Sequence, residues 1–102
     1  MYDMKNLSRL KQLELHAPEA TKAFWAFDKA AWADGAIPKK TKELIAVAVA
    51  LTIQCPYCIE LHVGRARNHG ASEPEIAEAV LAAAALRAGG AITHGTHAMA
   101  EI

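Results

Sequence analysis

Both cysteines of the chain lie in one stretch, Cys55-Pro56-Tyr57-Cys58-Ile59-Glu60-Leu61-His62. A single carboxylate, Glu43, stands at the mouth of the apolar run that precedes it. All thiol chemistry of this chain is therefore confined to one place. A helix starting at Cys55 puts Pro56 at its first position, where a missing N–H costs nothing and the fixed φ suits the turn. Cys55 and Cys58 are then i, i+3 neighbours, Cys58 and His62 are i, i+4 neighbours, and all three share a face. Ile59, Val63 and Ala66 lie on or beside that face, while Glu60, Gly64 and Arg67 lie opposite. The reactive groups point inward, toward a partner helix.

Residues i and i+3 of a helix have Cα atoms roughly 5 Å apart, within the span of a disulfide. Such a pair opens and closes without refolding the chain. The unsatisfied N–H groups and positive dipole at a helix start favour a thiolate, and an imidazole one turn later can take or share the proton. The motif thus reads as a redox dithiol with a base attached. Other readings remain: a zinc site of Cys55, Cys58 and His62 with Glu43 or His97 as fourth ligand, or two inert core cysteines. A thioredoxin-type motif is set aside, because that fold needs flanking strands and the preceding run is long and alanine-rich. Glu43 shares a helical row with Val47 and Ala50, so its carboxylate faces the interior or its edge, a plausible proton acceptor. Alternatively it is a first-turn acid that complements the helix dipole and pairs with Lys39 or Lys40.

These residues need helices to hold them. Leu7, Leu10, Leu13 and Leu15 recur at helical spacing in a short first helix, with Ser8 as a cap. A second helix opens at His16-Ala17-Pro18-Glu19 and ends near Asp34-Gly35. Its Phe24, Phe27 and Ala31 form one row and Trp25 and Trp32 another; core packing is the first reading, a pocket wall or subunit contact the second. Turn residues 34–38 lead into a third helix reaching Thr52 or Ile53. After Glu43 it is apolar at every position but Thr52, which predicts burial all round. The cysteine helix runs to Asn68 or His69 and stops at Gly70. Ser72 and Glu75 form a capping box for a helix carrying Ile76, Val80, Ala83 and Ala84 on one face and ending at Gly89-Gly90. A last short helix bears His94 and His97, as interface or tail residues or as a lining of the site.

The chain has 102 residues, 53% of them hydrophobic, which suits one domain over 1–102. Much of that content is alanine, which buries little area, so the missing burial is expected from oligomerisation. Eleven basic and eleven acidic residues balance, which speaks against nucleic acid and anionic membrane as partners. The run Leu44 to Ile53 is too short to span a bilayer. The first residues show no basic start followed by an apolar core, so a secretory signal is not expected, and the compartment reads as cytoplasmic. No alternating strand pattern, phosphate loop or repeat is visible; the fold class is all-α.

Asp34-Gly35, Pro38, Glu43-Leu44-Ile45, the apolar helix, Cys55-x-x-Cys58-x-x-x-His62 and Gly70 before Ser72 together resemble the alkylhydroperoxidase AhpD-like branch of the carboxymuconolactone decarboxylase superfamily. The resemblance covers about residues 20 to 90. CxxCxxxH with a glutamate twelve residues before the first cysteine is far more specific than CxxC alone. It implies an AhpD-like helical bundle of about six helices, a single compact subunit that assembles into trimers or hexamers. It also implies a thiol-dependent peroxidase or disulfide oxidoreductase with Glu43, Cys55, Cys58 and His62 as its site and no bound cofactor. Cys58 would be the peroxidatic thiol, deprotonated through Glu43 and His62, and Cys55 the resolving thiol nearer solvent. An external dithiol, from a lipoylated or thioredoxin-like partner, would reset the pair. Where AhpD proteins carry a further histidine between the cysteines, this chain has Tyr57, a poor base at neutral pH. From other classes, a non-enzymatic redox sensor or zinc-binding module remains, as does decarboxylase-like chemistry on a small lactone acid with Glu43 and His62 as acid and base.

Overall fold

The computed structural model describes residues 2–101. Among these the chain is all-α, with five α-helices and no strand. A 3-10 segment, Met4–Leu10, precedes α1 (Lys11–His16); α2 (Pro18–Trp32), α3 (Lys39–Ile53), α4 (Pro56–Asn68) and α5 (Glu73–His94) follow, and a second 3-10 turn, Gly95–Ala98, closes the order.

Local chemistry explains most of the boundaries. Asp3, and not Ser8, caps the first segment, its side chain accepting from the Lys5 N–H at 2.9 Å. Pro18 takes the first position of α2, with Glu19 in the first turn beside the helix dipole. The Asp34 side chain accepts from the Lys39 N–H at 2.6 Å and so starts α3. Helix α4 ends as a Schellman motif: the Ala71 N–H reaches the Ala66 carbonyl at 2.9 Å, the Gly70 N–H reaches that of Arg67 at 3.0 Å, and Gly70 has φ +90°. Ala66 and Ala71, both buried, supply its apolar contact. The Ser72–Glu75 capping box is present with both of its hydrogen bonds, at 2.9 and 3.2 Å.

One boundary differs from expectation. α5 does not stop at Gly89-Gly90 but runs on to His94, absorbing the start of the last segment, and His97 falls in the 3-10 turn that follows, so five helices replace about six. Gly70 is the one described glycine with positive φ. Glycine permits a helix stop without imposing it, and no proline follows to forbid the next turn. The segment Glu73–Ala98 is consequently long and apolar enough to cross a bilayer by length and composition, a feature that the Leu44–Ile53 run lacks. α5 packs along α3, and its Arg87 hydrogen-bonds the Thr52 carbonyl at the end of α3.

Helix α3 is the centre, packed against both α4 and α5. The core around it is thin. Ala46, Val47, Ala50, Ala66, Ala71, Ile76 and Ala83 are its buried apolar residues, and the only fully buried large side chains among those described are Glu43 and Val47. Two expectations of burial therefore fail within this chain. α3 is not buried all round, since Ile45, Val49 and Ile53 are exposed, and the α2 aromatics are not core, with Phe24 and Phe27 left 54% and 69% exposed. The subunit is also not compact. Its radius of gyration is 17.3 Å over extents of 58 × 34 × 30 Å, against about 13 Å for a globule of this length. α1 and α2 pack on one another, and the end of α2 meets α3.

Candidate functional site

Gln54 ends α3 in the left-handed region, φ 55°. That turn lets Cys55 become the N-cap of α4 with Pro56 behind it. The Cys55 sulfur accepts from the Cys58 N–H at 3.3 Å, satisfying one open donor of the first turn. The two cysteines are disulfide-bonded with Cα atoms 5.3 Å apart, as i, i+3 spacing requires. Both are half-buried, so depth alone does not separate their roles.

The same face of α4 carries His62 toward α3. There Glu43, wholly buried, places Oε2 2.5 Å from His62 Nδ1. Glu43, Val47 and Ala50 are all buried, as their common row implies. The Glu43 carboxylate is interior, but α3 begins at Lys39 and Glu43 lies past its first turn, so the reading as a first-turn acid complementing the helix dipole fails. The pairing with Lys39 is present, with Nζ 3.8 Å from Oε1. Lys40 instead pairs with Glu75 at 2.9 Å. Beside an ionised carboxylate, which only accepts, a neutral imidazole donates from Nδ1 and keeps Nε2 as an acceptor.

The Trp32 ring lies 4.9 Å from that of His62, tilted by 48°. Its indole N–H donates to Asp28 at 2.9 Å, which fixes the ring. Trp32, Ile45, Val49 and Ile53 join Cys58 and His62 around a cavity of about 170 Å³. Cys55 is not part of its lining. Of the alternatives for the tryptophan row, Trp32 is a pocket wall. The end of α2 is tied down by lysines of α3: Lys39 Nζ donates to the Trp32 carbonyl at 3.1 Å, and Lys42 Nζ to those of Ala31 and Ala33 at 3.0 and 2.6 Å. Cations at a helix C-terminus complement its dipole. Sequence reasoning weighed Lys39 only as a partner for Glu43 and did not find Lys42 or Asp28.

Tyr57, between the cysteines, turns to the N-terminal segment. Its hydroxyl accepts from Asn6 Nδ2 at 2.9 Å, and the Tyr2 ring meets it edge-on at 5.1 Å. Tyr2 in turn hydrogen-bonds the Glu60 carboxylate, which raises its hydroxyl pKa above the ordinary value. His94 and His97 contact each other, ring centroids 5.4 Å apart, and neither lines the cavity. Among the described residues no group of three or more His, Cys, Asp or Glu is placed to hold a metal ion, so the zinc set with Glu43 or His97 is not assembled.

The chain can be compared with known proteins on this basis. A sequence profile of the carboxymuconolactone decarboxylase family matches residues 18–101. The chain belongs to that family. An uncharacterised protein of the cox locus of Paracoccus denitrificans is 54% identical over 80 residues, 78% of this chain and 72% of that protein. An alkyl hydroperoxide reductase of Mycobacterium tuberculosis is 34% identical over 67 residues, 66% of this chain but only 19% of that protein. Among solved structures, a family member from Legionella pneumophila superposes with a TM-score of 0.75 at 35% identity, covering 80% of this chain and 73% of that one. A Thermotoga maritima member with a suggested involvement in antioxidative response gives 0.69 at 32% identity, over 78% and 68%. The bundle is thus the family's fold, and it carries a CxxC pair at disulfide distance.

Proposed function

We propose that the protein is a thiol-dependent peroxidase or disulfide reductase in which Glu43, Cys55, Cys58 and His62 form the site. The observation that carries this reading is the buried Glu43–His62 pair at 2.5 Å, with His62 sharing an apolar cavity with Cys58. In the reduced protein Glu43 accepts from Nδ1 and holds His62 with Nε2 as the base. His62 takes the Cys58 proton. The thiolate attacks the terminal oxygen of a hydroperoxide, the O–O bond breaks, and the alkoxide leaves as an alcohol on gaining a proton. Cys55 then attacks the Cys58 sulfenic sulfur, water departs, and the disulfide forms. An external dithiol gives up two electrons and two protons to reopen it and is itself oxidised. The apolar cavity favours an organic hydroperoxide over hydrogen peroxide.

The exposed apolar faces of α2, α3 and α5 and the open shape support a homo-oligomer, a trimer or hexamer, as the working form. Turnover of an organic hydroperoxide with a dithiol reductant tests the assignment. The wild-type chain is expected to turn over and Cys58→Ser to show none; equal turnover by both would overturn it.

A further inference from the structure

We propose that Lys39 sets the proton affinity of the Glu43–His62 pair. The consequence for Cys58 activation rests on the function proposed above; the electrostatic claim stands without it. Glu43 is wholly buried, and its two oxygens are treated differently. Oε2 is committed to His62 Nδ1. Oε1 is buried without a hydrogen bond, and the charge facing it is Lys39 Nζ at 3.8 Å.

Lys39 is held at its side-chain end and at its backbone. Its Nζ donates to the Trp32 carbonyl at 3.1 Å, and the Lys39 backbone N–H is fixed by Asp34 at 2.6 Å. The neighbouring lysines are engaged elsewhere, Lys40 with Glu75 and Lys42 with the carbonyls of Ala31 and Ala33. From α4 the pair is faced by His62's own turn and by Cys58, which does not titrate while disulfide-bonded. From α2 it is faced by the uncharged Trp32 ring, with Asp28 behind it on the indole nitrogen. Lys39 is thus the cation next to the pair.

A cation beside a coupled carboxylate and imidazole opposes the uptake of a proton by either member. At 3.8 Å the contact is longer than a hydrogen bond, so it acts through charge and not through a donor in one geometry. Lys39 therefore disfavours proton uptake by the pair. It is a positioning residue that acts through Glu43 and touches no substrate.

The test is a pH titration of the His62 ring signals by NMR in the disulfide form, where no thiol titrates, assigned with His62→Asn. Lys39→Met is expected to raise the midpoint by about one unit, a roughly tenfold gain in proton affinity. Lys39→Arg should restore it and Lys40→Met leave it in place. A midpoint in Lys39→Met equal to or below that of the wild type, or an equal rise in Lys40→Met, overturns the proposal. Should Lys39→Met not fold, Lys39→Gln is read in the same way. Peroxide oxidation of the reduced wild type, followed in parallel, separates the two claims: its failure removes the peroxidase reading and leaves the titration result intact.

Discussion

His62 Nδ1 lies 2.5 Å from Oε2 of Glu43, a residue 19 positions earlier with no exposed surface. A buried carboxylate is costly unless paired, and here its partners are the imidazole and the Lys39 ammonium. In the function proposed above, this contact gives a neutral His62 a defined tautomer and leaves its other nitrogen to take the Cys58 proton.

Glu43→Gln keeps the shape and removes the charge. The amide can donate as well as accept, so the tautomer of His62 is no longer enforced. Peroxide-driven oxidation of the reduced protein is expected to slow on the order of 10²-fold, with the thermal midpoint little changed. Stopped-flow measurement of thiol loss checks this.

Trp32→Ala removes the wall that meets His62 and opens the cavity. Bulky organic hydroperoxides should lose their advantage over hydrogen peroxide, seen as a larger fall in kcat/KM for the former. Equal falls for both substrates would show that the indole acts on His62 alone.

Gly70 has φ +90° with open space around it. Gly70→Ala should therefore destabilise by about 1 kcal/mol through backbone conformation and not through a clash. Urea unfolding at fixed protein concentration measures it.

Glu75 is held below its usual value of 4.5 by the Ser72 backbone N–H and then by Lys40, and Glu73 likewise by Arg67. A carboxylate with a folded pKa below its unfolded one adds stability that is fully present above the unfolded value and lost as pH falls through the folded one. The stability gap between wild type and Glu75→Gln should therefore be constant above the usual value of 4.5 and shrink as the pH falls through the lower folded value. Thermal scans across that range give the comparison.

Much of this fold could be read from the residues because its punctuation is local. Pro18, Pro56, Gly70 and the Ser72–Glu75 box each act within one turn, and each acts as its type dictates. The helical face joining Cys55, Cys58 and His62 and the row joining Glu43 to Val47 follow from a period alone. The misreadings have one cause. Phe24, Phe27, Ile45 and Val49 are apolar, but periodicity does not say whose surface covers them, and this chain covers them only in part. Gly89-Gly90 misleads because a glycine allows a stop that its neighbours decide. The roles of Lys39 and Lys42 depend on where the end of α2 falls in space, which no spacing reveals.

The most direct measurement is intact mass and free-thiol count of reduced protein before and after one equivalent of an organic hydroperoxide, with hydrogen peroxide in parallel. The account predicts rapid loss of two hydrogens and of both thiols, as the Cys55–Cys58 disulfide closes, and faster with the organic peroxide. Thiols that survive the oxidant, or a gain of oxygen on Cys58 that Cys55 does not resolve, would contradict it.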